Sequence, residues 1–320
     1  MTIVTSQTVI GVDVAKAELV VYRADREEIQ TVINDKSSIK RWLRSLPSGS
    51  LIALEATNIY HLQTVELAYA MGHTLYVIDG YRLSNYRKGT GGRSKTDMSD
   101  ARLLARYLTN EIDELRPWNP PPKGYRELQG LLRKRAVLVR LRVTLSQSWA
   151  EEPLLKRELK HLLLSIGKLD RTIQKKLHNI LAEANLLGQV DRCQAIEGIG
   201  FLSAAALATA FSRGDFKSSD AFIAFLGLDL RVKDSGQKVG RRRLTKRGDS
   251  ENRRLLHNAA MAASRSESWK PFYESYLARG LKATQVLVIL ARKLARVAFA
   301  LMKHQSKYQP GRPGESCLAT

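Results

Sequence analysis

The sequence predicts an α/β sheet domain at the N-terminus, then a pair of long helices, then a mostly α-helical C-terminal domain. Three observations carry this. Short apolar runs of β type alternate with amphipathic helical stretches in roughly the first third of the chain. A stiff break follows, Pro117-Trp118-Asn119-Pro120-Pro121-Pro122. Beyond it, leucines recur at helical spacing with few strand signals.

Residues 8 to 14, 18 to 24 and 28 to 33 read as three short strands with tight links. After them come a helix near Ser37 to Leu46, a strand at Leu51 to Leu54, a helix over Tyr60 to Met71 stopped by Gly72, and a strand at Thr74 to Ile78. Three strands followed by alternating helix and strand make a layered sheet of the ribonuclease H type, with the first and fourth strands adjacent. Arg87-Lys88-Gly89-Thr90-Gly91-Gly92-Arg93-Ser94-Lys95 is too glycine-rich for a core element. A mobile basic loop touching a phosphate backbone through Arg87, Lys88, Arg93 and Lys95, and a plain linker, weigh equally there. The amphipathic helix from Asp100 to Leu108 closes this domain.

Residues 123 to 151 and 153 to 186 form two helical stretches, with Pro153 at a first helical position and Gly188 as a C-terminal stop. Leu128, Leu131, Leu132, Val139 and Leu145 alternate with arginines, giving one apolar and one basic stripe, as in an antiparallel hairpin or coiled coil. Such an arm suits dimerisation. Next, Ile196-Glu197-Gly198-Ile199-Gly200 leads into a helix of small residues and resembles the helix-hairpin-helix pattern. Gly198 and Gly200 would there allow a phosphate to reach free backbone N–H groups, and a plain glycine turn between core helices is the competing reading. Lys238 to Arg254 holds 8 basic residues, among them Arg241, Arg242, Arg243, Lys246 and Arg247, against Asp249 and Glu251. Cations with glycines and little acid read as a backbone-binding loop. Residues 254 to 264 and 281 to 303 look helical, and the tail from His304 is expected to be disordered. The expected domains are 1–122, 123–188, 189–303 and a tail 304–320.

Charge is unevenly spread. The chain has 52 Lys+Arg against 31 Asp+Glu, a net +21. Through residue 110 the 14 basic and 11 acidic residues leave +3, and the remaining 38 and 20 leave +18. A nucleic-acid partner is implied, gripped by the downstream part. No basic amphipathic anchor helix, charged leader or apolar run of ~18 residues is present, so a membrane role is not expected. Two cysteines far apart, Cys193 and Cys317, imply a reducing compartment, and the six histidines show no zinc spacing. A cytosolic, bacterial-type protein is expected.

Within the nearly neutral part, four acids stand in a telling order. Asp13 and Glu55 lie where β-type runs end, and Asp97 and Asp100 open the helix three residues apart, on one face. Singly, each has an ordinary role as a turn or cap residue. Together, four carboxylates repel, and hard oxygen donors favour Mg²⁺ or Mn²⁺. Two such ions can hold the attacking and leaving oxygens of a phosphodiester. Ser235, in Asp234-Ser235-Gly236 beside the arginines, is either a simple turn residue or a phosphoryl-accepting nucleophile.

Read together, Asp13, Leu54-Glu55-Ala56-Thr57, Lys95-Thr96-Asp97-Met98-Ser99-Asp100-Ala101, Ile196-Glu197-Gly198-Ile199-Gly200, Ser235-Gly236 and Thr245-Lys246-Arg247-Gly248 resemble the insertion-sequence transposases with a DEDD catalytic domain. That family includes the pilin-gene invertases and bridge-RNA-guided recombinases. The resemblance spans about residues 8 to 300. It implies a RuvC-type domain, a coiled coil and a C-terminal transposase domain, in dimers that assemble to tetramers. It also implies donor and target DNA as substrates, a guide RNA encoded outside the protein, Asp13, Glu55, Asp97 and Asp100 as Mg²⁺ ligands, and Ser235 as the nucleophile of a 5′-phosphoserine link. Asp234 stands where many relatives have a second serine, and Asn58 where glycine is frequent. The competing readings are a RuvC-like structure-specific nuclease in which water attacks, and a non-catalytic nucleic-acid binder whose acids chelate a structural ion.

Overall fold

The structure, a computed structural model, describes residues 7–91, 96–231, 240 and 242–310. The chain divides into two compact units, one ending at Pro120 and the other beginning at Pro121.

The first unit is built on a five-stranded sheet. Its strands are β1 (Val9–Val14), β2 (Glu18–Arg23), β3 (Glu28–Ile33), β4 (Leu51–Glu55) and β5 (Thr74–Ile78), in the spatial order β3-β2-β1-β4-β5. The first three form an antiparallel meander, and β1, β4 and β5 run parallel. The first and fourth strands are therefore adjacent, as expected. Alternation sorts the side chains. Ile10, Val12, Ile52 and Leu54 join Ile39, Trp42, Leu43, Val65 and Ala68 of helices α1 (Lys36–Arg44) and α2 (Leu62–Ala70) in one apolar cluster. Leu51, Ala53, Tyr76 and Ile78 face a second cluster with Leu83 of α3 (Gly80–Gly89) and Leu104, Tyr107 and Leu108 of α4 (Asp97–Glu111).

One expectation fails in this unit. Arg87, Lys88 and Gly89 are the last turn of α3, where a loop was expected. Asp79 starts that helix by accepting from the backbone N–H groups of Tyr81 (2.8 Å) and Arg82 (3.2 Å), and Leu83 anchors it to the sheet. The cap and one buried leucine outweigh the low helix propensity of the surrounding glycines.

The second unit is helical. A hairpin of α5 (Tyr125–Ser148) and α6 (Lys156–Glu183) packs through Leu128, Leu132, Ile173, Leu177 and Leu181. It is followed by α7 (Leu187–Gln194), α8 (Phe201–Ser212), α9 (Ser219–Phe225), α10 (Ser250–Ala263), α11 (Lys270–Ala278) and α12 (Ala283–His304) around one core. Between α9 and α10, β6 (Leu230–Arg231) pairs antiparallel with β7 (Arg243–Leu244). Two boundary expectations are corrected. Pro153 precedes α6, because Glu152 accepts from the Leu154 N–H and holds a turn there. Gly188 lies inside α7, and the residue that ends the preceding turn is Asn185, at φ +56°. Among the described residues no helix is long and apolar enough to cross a membrane.

Candidate functional site

Four carboxylates converge on one face of the first unit. Asp13 shares the parity of Gly11 on β1, and Glu55 that of Leu51 and Ala53 on β4, so both point to the face that α4 covers. The parallel register pairs Val12 with Leu54, which brings the two strand ends level. Gly11 then sets how close α4 comes. A Cβ there would overlap the Ala101 carbonyl oxygen and stand 2.7 Å from the Ala105 nitrogen, so only glycine lets the helix backbone rest on β1. That contact carries the first turn of α4, with Asp97 and Asp100, to the strand ends.

The start of α4 is fixed by a reciprocal cap. Thr96 Oγ1 accepts from the Ser99 N–H at 3.2 Å, and Ser99 Oγ accepts from the Thr96 N–H at 2.9 Å. Asp100 is buried and Asp97 exposed. Gly80, at the start of α3, is a further part of the site: a Cβ there would fill the place of the Glu55 carboxylate oxygen. Asn58, just beyond Glu55, sits at φ +46°, the left-handed conformation that glycine adopts most easily and asparagine tolerates.

The electrostatics bind these groups into one unit. The Asp13 carboxyl is raised to about 6, first by burial and then by the charges of Asp97, Asp100 and Glu55. Three other acids are thus close enough to make its ionisation costly. Asp100 itself is engaged by Arg87, whose Nη2 donates to Oδ1 at 2.5 Å with both side chains largely covered. Among the described residues no three Asp, Glu, His or Cys side chains are drawn tightly enough to enclose an ion as they stand. The donor chemistry, all carboxylate oxygen, suits a hard divalent cation. Arg87 is the cation with which such an ion would share Asp100.

The residues expected to grip nucleic acid are placed differently from one another. Arg87 faces the acids, whereas Lys88 is exposed at the end of α3. Gly198 has φ +88°, and a Cβ on it would come within 2.6 Å of the Ala259 oxygen and the Ala263 nitrogen, so it lets the α7–α8 turn lie against α10. Gly200 is exposed with open space around it and precedes α8, a helix with neither a side-chain cap nor an acid in its first turn. Arg242, Arg243, Lys246 and Arg247 are all exposed. Their loop is built, because Thr245 hydrogen-bonds Asp229 through both its backbone and its hydroxyl. Arg93, Lys95, Ser235, Lys238 and Arg241 lie outside the described residues, and so does Cys317. Arg231 and Arg243, which flank the Ser235 segment, are paired across β6 and β7.

Sequence reasoning missed three contributors to the acid cluster and one carboxylate of the second unit. Gly80 and the Thr96–Ser99 cap had local signals, an Asp-Gly helix start and hydroxyls three apart. Arg87 as a partner of Asp100 had none. Glu197, quoted only as part of a glycine motif, accepts from Ser268 Oγ (2.7 Å), Trp269 Nε1 (3.2 Å) and the Tyr308 hydroxyl (2.6 Å). Burial alone would raise its carboxyl, and these donors together hold it below the usual range.

Comparison with known proteins finds transposase relatives across most of the chain. Residues 10–151 match the family model for the DEDD domain of IS110-type transposases, described as "Transposase". Residues 190–274 match a second model, described as "Transposase IS116/IS110/IS902 family". A "Probable family 20 transposase" of Pseudomonas aeruginosa is 29% identical over 350 aligned positions, which cover 94% of this chain and 98% of the relative. A "Pilin gene-inverting protein" of Moraxella bovis is 26% identical, covering 80% of this chain and 81% of the relative. The "Transposase for insertion sequence element IS1111A" of Coxiella burnetii is 31% identical over 50% of this chain and 45% of the relative.

Proposed function

This chain belongs to the IS116/IS110/IS902 transposase family and is a DNA transposase, and we propose that it cuts and rejoins DNA through a covalent protein–DNA link. The observation that carries the reading is the convergence of Asp13, Glu55, Asp97 and Asp100, expressed in the raised Asp13 carboxyl. These four would hold Mg²⁺ or Mn²⁺, which when bound supplies charge stabilisation to the oxygens of a phosphodiester in displacement. Rejoining without an external energy source requires that phosphodiester energy be kept, and a serine ester keeps it where water attack would discard it.

Ser235 is the proposed nucleophile. Its Oγ–P bond forms as the P–O3′ bond breaks, its proton passes to the departing 3′ oxygen by way of solvent, and the 5′ side stays attached as phosphoserine. Attack by a different 3′-hydroxyl on that ester reverses the step and joins new strands. Exposed Arg242, Arg243, Lys246 and Arg247 support a backbone grip close in sequence to Ser235. Exposed Val137 and Leu141 on α5 and Leu162 and Leu169 on α6 support a homodimeric arm, with assembly to a tetramer and a shared active site. The net +18 beyond residue 110 suits a guide RNA as well as DNA. In this reading the chain works in the bacterial cytoplasm on the nucleoid.

A suicide substrate tests the proposal. With Mg²⁺ it should trap a protease-sensitive DNA adduct that maps to Ser235 and vanishes in Ser235→Ala. Mixed Ser235→Ala and Asp13→Asn subunits should recover partial activity if the site is shared. Cleavage that leaves free 5′-phosphates and no adduct would favour the nuclease instead.

A further inference from the structure

A cleft of 380 Å³ in the second unit is lined by α5, α6, α10 and the first turn of α8. Its wall holds three guanidinium groups, Arg135 and Arg142 from α5 and Arg254 from α10, with Asn258 and Gln174 beside them. No Asp or Glu lines it among the described residues. Arg135 and Arg142 are seven apart, so they lie two turns along one face of α5, and Arg254 and Asn258 are four apart on α10.

Two of these arginines are fixed by acids outside the lining. Glu251, buried, accepts from Arg254 Nε at 2.7 Å and from Nη2 at 2.6 Å, which leaves Nη1 outside the pair. Asp170 Oδ1 stands 2.8 Å from Arg135 Nε, yet both atoms are buried without an aligned hydrogen bond. The uncapped start of α8 adds N–H groups to the same wall. Apart from Gly200 and Ser203 the remainder is apolar, made of Phe201, Val139, Leu202 and Leu255.

We propose that this cleft binds one unpaired nucleotide of a DNA or RNA strand, its phosphate on Arg135, Arg142 and Arg254 and its base against Phe201. The size falls in the range of small-ligand pockets, and cations together with an aromatic ring are the chemistry of single-strand recognition. A paired base in a duplex presents no ring face to Phe201. This inference rests on the nucleic-acid reading above and deepens it, since it makes the base of the arm a strand-holding site built wholly from residues of the second unit.

The test uses the full chain with labelled single-stranded DNA, single-stranded RNA and duplex DNA of matched length, titrated across salt. Arg142→Gln, an exposed position, should weaken binding of one single strand five- to tenfold and flatten its salt slope by about 0.7. Arg140→Gln, on the same helix but outside the cleft, should change binding less than twofold. A 5-iodouracil strand irradiated in complex should crosslink at Phe201, and comparison of the DNA and RNA arms identifies the strand. Equal effects of Arg140→Gln and Arg142→Gln, with no crosslink at Phe201, overturn the cleft while leaving wild-type binding and strand transfer as evidence for the transposase mechanism. Failure of the wild type to bind any strand overturns both.

Discussion

Two carboxylate settings in this molecule stand in contrast. In the first unit Asp13 is surrounded by other acids, and its carboxyl is pushed up to about 6 by burial, Asp97, Asp100 and Glu55. In the second unit Glu197 is surrounded by donors, and against the pull of burial the Tyr308, Ser268 and Trp269 groups hold it low. Glu197 is satisfied by the fold and ties residues 71 to 111 positions away to the turn before α8. In the Asp13 cluster the donors are few, Arg87 and a long contact from Ser99 on Asp100 and the Val14 backbone on Asp13, and they leave the Asp13 carboxyl raised. A carboxylate among donors is a structural clamp. One among carboxylates costs stability, and a chain that keeps four of them has a use for the charge.

The largest expected effect breaks the first setting. Asp13→Asn should lower strand cleavage at least about 100-fold while raising stability. The sign follows from the raised carboxyl. The folded state holds the Asp13 proton more tightly than the unfolded chain, so its penalty is absent below about 3.8, grows through the window up to about 6 and is complete above it. At pH 7 the asparagine variant should therefore gain about 1–2 kcal/mol after allowance for solvent screening, and this gain should fade as pH falls toward 4. Thermal melts at a series of pH values check it.

Next in size are the glycines of one motif. Gly198→Ala should cost about 3 kcal/mol, from positive φ and from collision with the α10 backbone, whereas Gly200→Ala meets open space at φ −85° and should leave stability within about 0.5 kcal/mol. Urea unfolding distinguishes them. Glu197→Gln should follow at about 2 kcal/mol, through weakened charge-assisted bonds. Because its carboxyl is lowered, the loss should be full above about 4.5 and disappear as pH falls through the lower folded value. The smallest effect on the fold belongs to Arg241, Arg242 and Arg243. Neutralising all three should leave melting unchanged and flatten the salt dependence of duplex binding by about 0.9 per lost contact.

The contrast also explains what was legible in advance. β1 to β5 were readable within a residue or two because each is an apolar run between turn residues, and their order followed from connection rules. The convergence of Asp13 and Glu55 was legible through that order, and that of Asp97 and Asp100 through helical spacing. Helix α3 was not, since Gly80 and Gly89 bound it and only Leu83 of its side chains is buried. Glu197 and Arg87 carry no sequence mark of their partners, which tertiary folding alone supplies. Ser235 rests on resemblance, because it falls outside the described residues.

The central claim is that the four acids act as one cation-binding unit, and the Asp13 carboxyl reports on it directly. Carbon-13 NMR of aspartate-labelled protein, with Asp13→Asn to assign the signal, should place its titration near pH 6 without divalent cation. Saturating Mg²⁺ should move it below 4, and Asp100→Asn should lower the cation-free value by removing one repelling charge. A midpoint near 4 that responds neither to Mg²⁺ nor to Asp100→Asn would contradict the account.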